Sequence, residues 1–86
     1  MKMSGNTILI TGGGSGIGRE LALRFNAFGN TVIVAGRRME TLEETIAGQR
    51  DMHAMVVDVE DPEEITSFAE RVIAERPSLN VLINNA

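Results

Sequence analysis

Cysteine is absent from the 86 residues, which excludes a disulfide framework, a thiolate nucleophile and a cysteine-based zinc site. The opening Met1-Lys2-Met3-Ser4-Gly5-Asn6 lacks an apolar signal region, and no run approaches the ~18 apolar residues of a membrane span. A soluble cytoplasmic protein with no membrane partner is the expectation. Basic residues number 8 against 12 acidic ones, for a formal charge of −4, and they are scattered, which argues against a nucleic-acid partner. Histidine occurs once, as His53, with no second ligand or nucleophile beside it, so it reads as a surface residue and no metal site is expected. Glu40, Glu43, Glu44, Glu63, Glu64 and Glu70 read as solvated helix faces and caps, leaving no acid–base pair. Repeats and low-complexity tracts are missing as well.

Glycine is what the chain has in quantity, 9 residues, and its placement organises the rest. The stretch Thr11-Gly12-Gly13-Gly14-Ser15-Gly16-Ile17-Gly18 follows the apolar run Thr7-Ile8-Leu9-Ile10. It opens into a helical pattern of Ile17, Leu21, Ala22, Phe25 and Phe28. A strand, a glycine loop and a helix N-terminus in that order suit an anion: glycine lets backbone approach a ligand, and the first helical turn offers unpaired N–H groups and a positive dipole end. Neither G-x-G-x-x-G nor a phosphate-gripping G-x-x-x-x-G-K-[ST] is spelled, because Arg19 and Glu20 stand where Lys and Ser/Thr would be needed. A glycine-rich turn that binds nothing is the plainer reading, but the flanking strand and helix favour a phosphate loop.

At this length the chain makes one small domain whose core is marginal, burying about 60–65% of its unfolded surface. Strands are expected over residues 6–11, 31–35, about 53–58 and 80–84, all apolar enough to be buried on both faces. Helices are expected from about Ser15 to Phe28, from Met39 to Ala47, and after Asp61-Pro62-Glu63-Glu64, where Asp is the N-cap and Pro stands in the first turn. The third helix is expected to bury Ile65, Phe68, Ala69, Val72 and Ile73. The βαβαβαβ order predicts an α/β, three-layer Rossmann-type fold, an incomplete doubly wound parallel sheet of four strands in order 3-2-1-4. Two helices should cover one face and the third alone the other, leaving an open face and a bare fourth strand through which the chain self-associates.

Thr-Gly-x-x-x-Gly-Ile-Gly resembles the dinucleotide loop of the classical short-chain dehydrogenase/reductase family. The resemblance implies cofactor contacts from Gly12, Gly14, Ser15, Gly16, Ile17 and Gly18. The position of the acid that holds the 2′-hydroxyl in NAD-dependent members is filled by Gly36, and Arg37 and Arg38 follow. Two solvated arginines would also explain that pair, but cations are disfavoured at a helix start unless an anion compensates them. NADP is therefore expected over NAD, with Arg37 as the main contact and Ser15 close enough to share the phosphate.

The family likeness also implies that Asp58 accepts from the adenine amino group, beside apolar contact from Val59; the alternative is a turn residue closing a strand. Asn84-Asn85-Ala86 is similar to the start of the family's Asn-Asn-Ala-Gly motif, in which Asn84 would tie the sheet together while Asn85 and Ala86 meet the cofactor ribose. The family's proton transfer uses Ser and Tyr-x-x-x-Lys. Tyrosine is absent here and the single lysine is Lys2, so no catalytic residue is expected. Residues 1–86 then read as the amino-terminal part of one dinucleotide-binding domain, cut after strand 4. The parent would be an NADP-dependent oxidoreductase acting on an alcohol/carbonyl pair and homo-oligomeric when complete, with the short chain alone inactive. The alternative is a stand-alone, non-catalytic dinucleotide-binding or protein-interaction domain.

Overall fold

The computed structural model describes residues 3–58 and 60–85; Val59 and Ala86, two of the expected cofactor contacts, lie outside them. The elements run β1 (Thr7–Thr11), α1 (Gly16–Ala27), β2 (Thr31–Gly36), α2 (Met39–Ile46), β3 (Met52–Val56), α3 (Pro62–Glu75) and β4 (Val81–Asn84). All pairings are parallel and the sheet order is β3-β2-β1-β4, as the strand and helix alternation predicts. Boundaries differ from the expected ones by a residue or two. Ser15 and Phe28 cap α1 rather than belong to it, and β3 begins one residue early, at Met52.

Alternate residues of the central strands feed two cores, because successive side chains leave opposite faces of a sheet. Ile8, Ile10, Val32 and Val34 pack with Ala22 of α1 and Leu42 of α2 on one face. Leu9, Ile33 and Ala35 pack with Val57 and Val72 on the other, the face that α3 covers alone. Right-handed crossovers produce this division, since the step from β3 to β4 runs back across the sheet.

The third helix starts as its sequence dictates. Asp61 Oδ1 accepts from the N–H groups of Glu63 at 3.0 Å and Glu64 at 3.4 Å, and Pro62 occupies the first turn. Its expected buried stripe is only partly buried. Val72 is buried and Phe68 half-buried, whereas Ala69 is exposed, Ile65 is 42% exposed and Ile73 67%. A stripe five residues wide is broader than the strip of sheet beneath one helix, so its margin faces outward. Ile65 and Ile73 line an apolar groove of about 490 Å³ with Leu82 of β4, which is itself 63% exposed. β4 is accordingly not buried on both faces as expected. It alternates, with Val81 and Ile83 half-buried and Leu82 and Asn84 exposed. Two residues of the α1 pattern are also exposed, Ile17 before the helix meets the sheet and Phe28 at its end.

Candidate functional site

Parallel strands all point their carboxyl ends one way, and the order reverses between β1 and β4, so loops diverge there and leave a crevice. An open cleft of about 690 Å³ occupies this end of the sheet. It is lined by Thr11, Gly12, Gly14 and Ser15 of the first loop, by Gly36, Arg37, Arg38, Thr41 and Leu42 after β2, and by Val57, Asn84 and Asn85. That volume lies within the ~300–1,000 Å³ range of small-molecule and cofactor sites.

The glycine loop is held by backbone and by α2. Gly12 and Gly13 donate to the Ala35 carbonyl at 2.8 and 3.4 Å, and Thr45 Oγ1 donates to the Gly13 carbonyl at 3.0 Å. Side chains would not fit along it: a Cβ at Gly13 would lie 2.6 Å from Val34 Cβ, and one at Gly14 2.5 Å from Thr41 Oγ1. Gly12 and Gly16 have φ of +71° and +58°, a region that other residues enter only with strain. Gly16 is the one loop glycine whose Cβ would meet nothing within 4 Å.

Two features of this end fit an anion. Ser15 stands at the N-cap of α1 in extended conformation, yet its side chain makes no capping hydrogen bond. The first turn of α1 carries no acidic residue. Its N–H groups and dipole are therefore not already neutralised by the protein's own side chains.

Arg37 and Arg38 are exposed at the mouth of the cleft, with Arg38 at the N-cap of α2. Among the described residues neither guanidinium makes an ion pair or a side-chain hydrogen bond, and no carboxylate lines the cleft. A cation at a helix N-terminus without a counter-ion is unfavourable locally. Gly36 leaves the acid's position empty, and a Cβ there would only touch Leu42 Cδ2 at 3.4 Å, so bulk does not exclude a side chain.

On the far side β4 is tied to β1 at this end. Thr11 Oγ1 donates to Asn84 Oδ1 at 2.8 Å and accepts from the Asn85 N–H at 3.1 Å. Thr11 and Thr41 line the cleft without having been assigned a role from the sequence, although Thr11 opens the glycine motif. The first stands one residue ahead of the glycines, and the second is brought in only by the packing of α2.

The structure therefore gathers Gly12, Gly14, Ser15, Arg37, Arg38 and Asn85 around one cleft. Gly16, Ile17 and Gly18 follow in the helix start, where Gly18 is buried against Gly12 and Asn85 while Ile17 is 72% exposed. Asp58 is not in the cleft lining. Its Oδ1 accepts from the Glu60 N–H at 3.0 Å and its own N–H donates to Glu64 Oε1 at 2.8 Å, which makes it part of the turn into α3. His53 lies elsewhere, in a cleft of about 610 Å³ at the β3 edge with Met39, Met52 and Arg76. Burial lowers its pKa below the ordinary 6.5 and the Arg76 charge lowers it further, while Asp51 opposes them.

The parallel sheet in order β3-β2-β1-β4, with a cleft where that order reverses, is a Rossmann-type fold. The chain belongs to the short chain dehydrogenase family, whose model matches residues 6–86. DltE of Bacillus subtilis, an uncharacterised oxidoreductase, is 45% identical over 86 residues, covering 100% of this chain and 34% of its own. The citronellol catabolism dehydrogenase AtuB of Pseudomonas aeruginosa superposes with a TM-score of 0.89 at 36% identity, over 96% of this chain and 36% of its own. A short chain dehydrogenase of Escherichia coli CFT073 complexed with NADPH has a TM-score of 0.86 at 29% identity, over 100% of this chain and 40% of its own. The chain thus spans 34–40% of the length of these three proteins. No helix among the described residues is long and apolar enough to cross a membrane.

Proposed function

We propose that residues 1–86 are the NADP(H)-binding, amino-terminal part of a single dinucleotide-binding domain in an oxidoreductase that acts on an alcohol/carbonyl pair. The observation that carries the cofactor reading is the pair Arg37 and Arg38, which line the cleft with Ser15 and, among the described residues, have no ion-pair partner and no carboxylate beside them in its lining. An E. coli relative complexed with NADPH supports the same choice.

In this reading Arg37 and Ser15 hold the 2′-phosphate, and Arg38 adds charge at the start of α2. The backbone of Gly12 to Gly18 and the α1 N-terminus hold the pyrophosphate, where the absence of side chains admits it closely. Asp58, outside the cleft lining, and Val59 would meet an adenine that extends beyond it, and Asn85 and Ala86 would present backbone to a ribose. Bound there, the dinucleotide would supply or accept the hydride. Proton transfer to or from the substrate oxygen is assigned to residues outside this chain, which has no tyrosine and only Lys2 as lysine.

Titration of NADPH and NADH against the wild type and Arg37→Ala tests the assignment. Loss of a charge-assisted phosphate contact of about 1.5–3 kcal/mol should weaken NADPH about ten- to a hundredfold and leave NADH nearly unchanged. Gly36→Asp, which the space at Gly36 admits, should invert the preference by placing a carboxylate near the 2′-phosphate. Equal losses for both cofactors in Arg37→Ala would remove the basis for NADP(H).

A further inference from the structure

The end of the sheet opposite the cleft carries a chain of three side-chain amides that no cofactor role explains. Asn80, just ahead of β4, donates through Nδ2 to Asn6 Oδ1 at 3.0 Å. Asn6 donates through Nδ2 to Asn30 Oδ1 at 3.0 Å, and its N–H reaches the same oxygen at 3.0 Å. Asn30 then donates to the Phe25 carbonyl at 2.7 Å and the Met3 carbonyl at 3.0 Å. Asn6 and Asn30 are 2% and 1% exposed, so they are buried polar groups whose partners matter. Asn80 also clasps β1 directly: its Oδ1 accepts from the Thr7 N–H at 2.8 Å, and its own N–H donates to the Thr7 carbonyl at 3.1 Å.

Hydrophobic burial fixes the register of a strand when apolar and polar residues alternate, because a slip of one residue moves every side chain to the other face. β4 has that protection only weakly. Val81, Leu82 and Ile83 are all apolar, and the face that Leu82 occupies is poorly covered. A slip by one would bring Leu82 and either Asn80 or Asn84 to the half-buried places of Val81 and Ile83, so only one apolar side chain would be lost from them. It would also move Asn85 by about 3.3 Å along the strand, beyond hydrogen-bond reach of its present partners.

We propose that Asn80 is a positioning residue: through Asn6 and Asn30 it locks β4 in register on β1 and so sets where Asn84 and Asn85 meet the cofactor cleft, about 16 Å away along the strand. This rests on the reading of that cleft as a dinucleotide site. The donor direction runs from β4 through β1 to β2 and the end of α1, and it needs an amide at Asn80. An aspartate there would still accept from Thr7 but would set a carboxylate against Asn6 Oδ1. Turning the Asn6 amide to meet it would bring two oxygens together at Asn30, so the break travels along the chain.

Cross-strand nuclear Overhauser contacts and NADPH affinity, measured on the 86-residue chain at low concentration, test this on Asn80→Leu, Asn80→Asp and the control Val72→Ala. Both Asn80 variants should keep the β1–β2 pairing, show a second set of contacts in which Ile10 faces a β4 residue other than Ile83, and bind NADPH about tenfold more weakly. Val72→Ala should lose stability with neither change. If Asn80→Leu fails to fold, Asn80→Asp, which loses only the donor, decides. Unaltered Ile10–Ile83 pairing with unaltered affinity would overturn the proposal. A wild type that binds no NADPH would overturn the functional reading instead, and the pairing data alone would then decide the role of Asn80.

Discussion

Gly16 and Gly18 are two residues apart and are glycine for different reasons. Gly16 has φ +58° with open space where a Cβ would stand, so its conformation alone asks for glycine and a side chain there would project from the loop proposed to hold the cofactor. A Cβ at Gly18 would instead run into the Gly12 carbonyl and come within 2.7 Å of Asn85 Nδ2, because the helix start is packed on the loop. Gly16→Ala should therefore cost about 1–2 kcal/mol of backbone strain and weaken NADPH binding by more than that strain explains. Gly18→Ala should cost about 1–3 kcal/mol by overpacking, or more, since backbone must move to relieve it. Denaturant melts paired with cofactor titrations separate the two; equal effects of both substitutions on both readouts would contradict the distinction. The spacing of these glycines was legible in the sequence, but which one packs and which one stands in open space was not, because that depends on how closely α1 approaches β1. The amides of Asn6, Asn30 and Asn80 were equally hidden. They lie 24 and 74 positions apart, and only the order of strands brings them together.

At the scale of elements the sequence spoke most clearly where a local rule has a single outcome. Asp61-Pro62 starts α3 with its side chain on the expected N–H groups, and the apolar runs of β1 and β2 are buried on both faces. It spoke less clearly for α3 and β4, since a stripe of apolar residues states that a face is apolar and not what covers it. β3 at the sheet edge carries a testable electrostatic feature. Burial, reinforced by Arg76, holds the pKa of His53 below its ordinary 6.5, so the folded state favours the neutral ring. The unfolded chain then binds more protons across that interval, and stability should rise with pH through it: full above about 6.5 and declining as pH falls through the lowered value. His53→Asn should flatten this part of the stability–pH curve measured by denaturant midpoints. A curve of unchanged slope in the variant would assign the dependence to other groups.

Over the whole molecule, one face of the sheet has two helices and the other has one, and the uncovered margin of α3 meets the exposed flank of β4. Ile65, Ile73 and Leu82 line that groove at 42%, 67% and 63% exposure. The 86-residue chain should self-associate through this face, and Leu82→Glu should shift its light scattering towards the monomer at equal concentration. Undiminished association in Leu82→Glu would place the contact elsewhere. The cleft is proposed to bind the 2′-phosphate of NADP(H) through Arg37 and its neighbours, and ³¹P resonance of the bound cofactor reports on that contact. Two arginines favour the dianion, so the 2′-phosphate, which ordinarily titrates near pH ~6, should titrate at lower pH in the complex, and Arg37→Ala should return it towards its ordinary value. A 2′-phosphate that titrates as in solution while the pyrophosphate signals alone respond to binding would contradict the account.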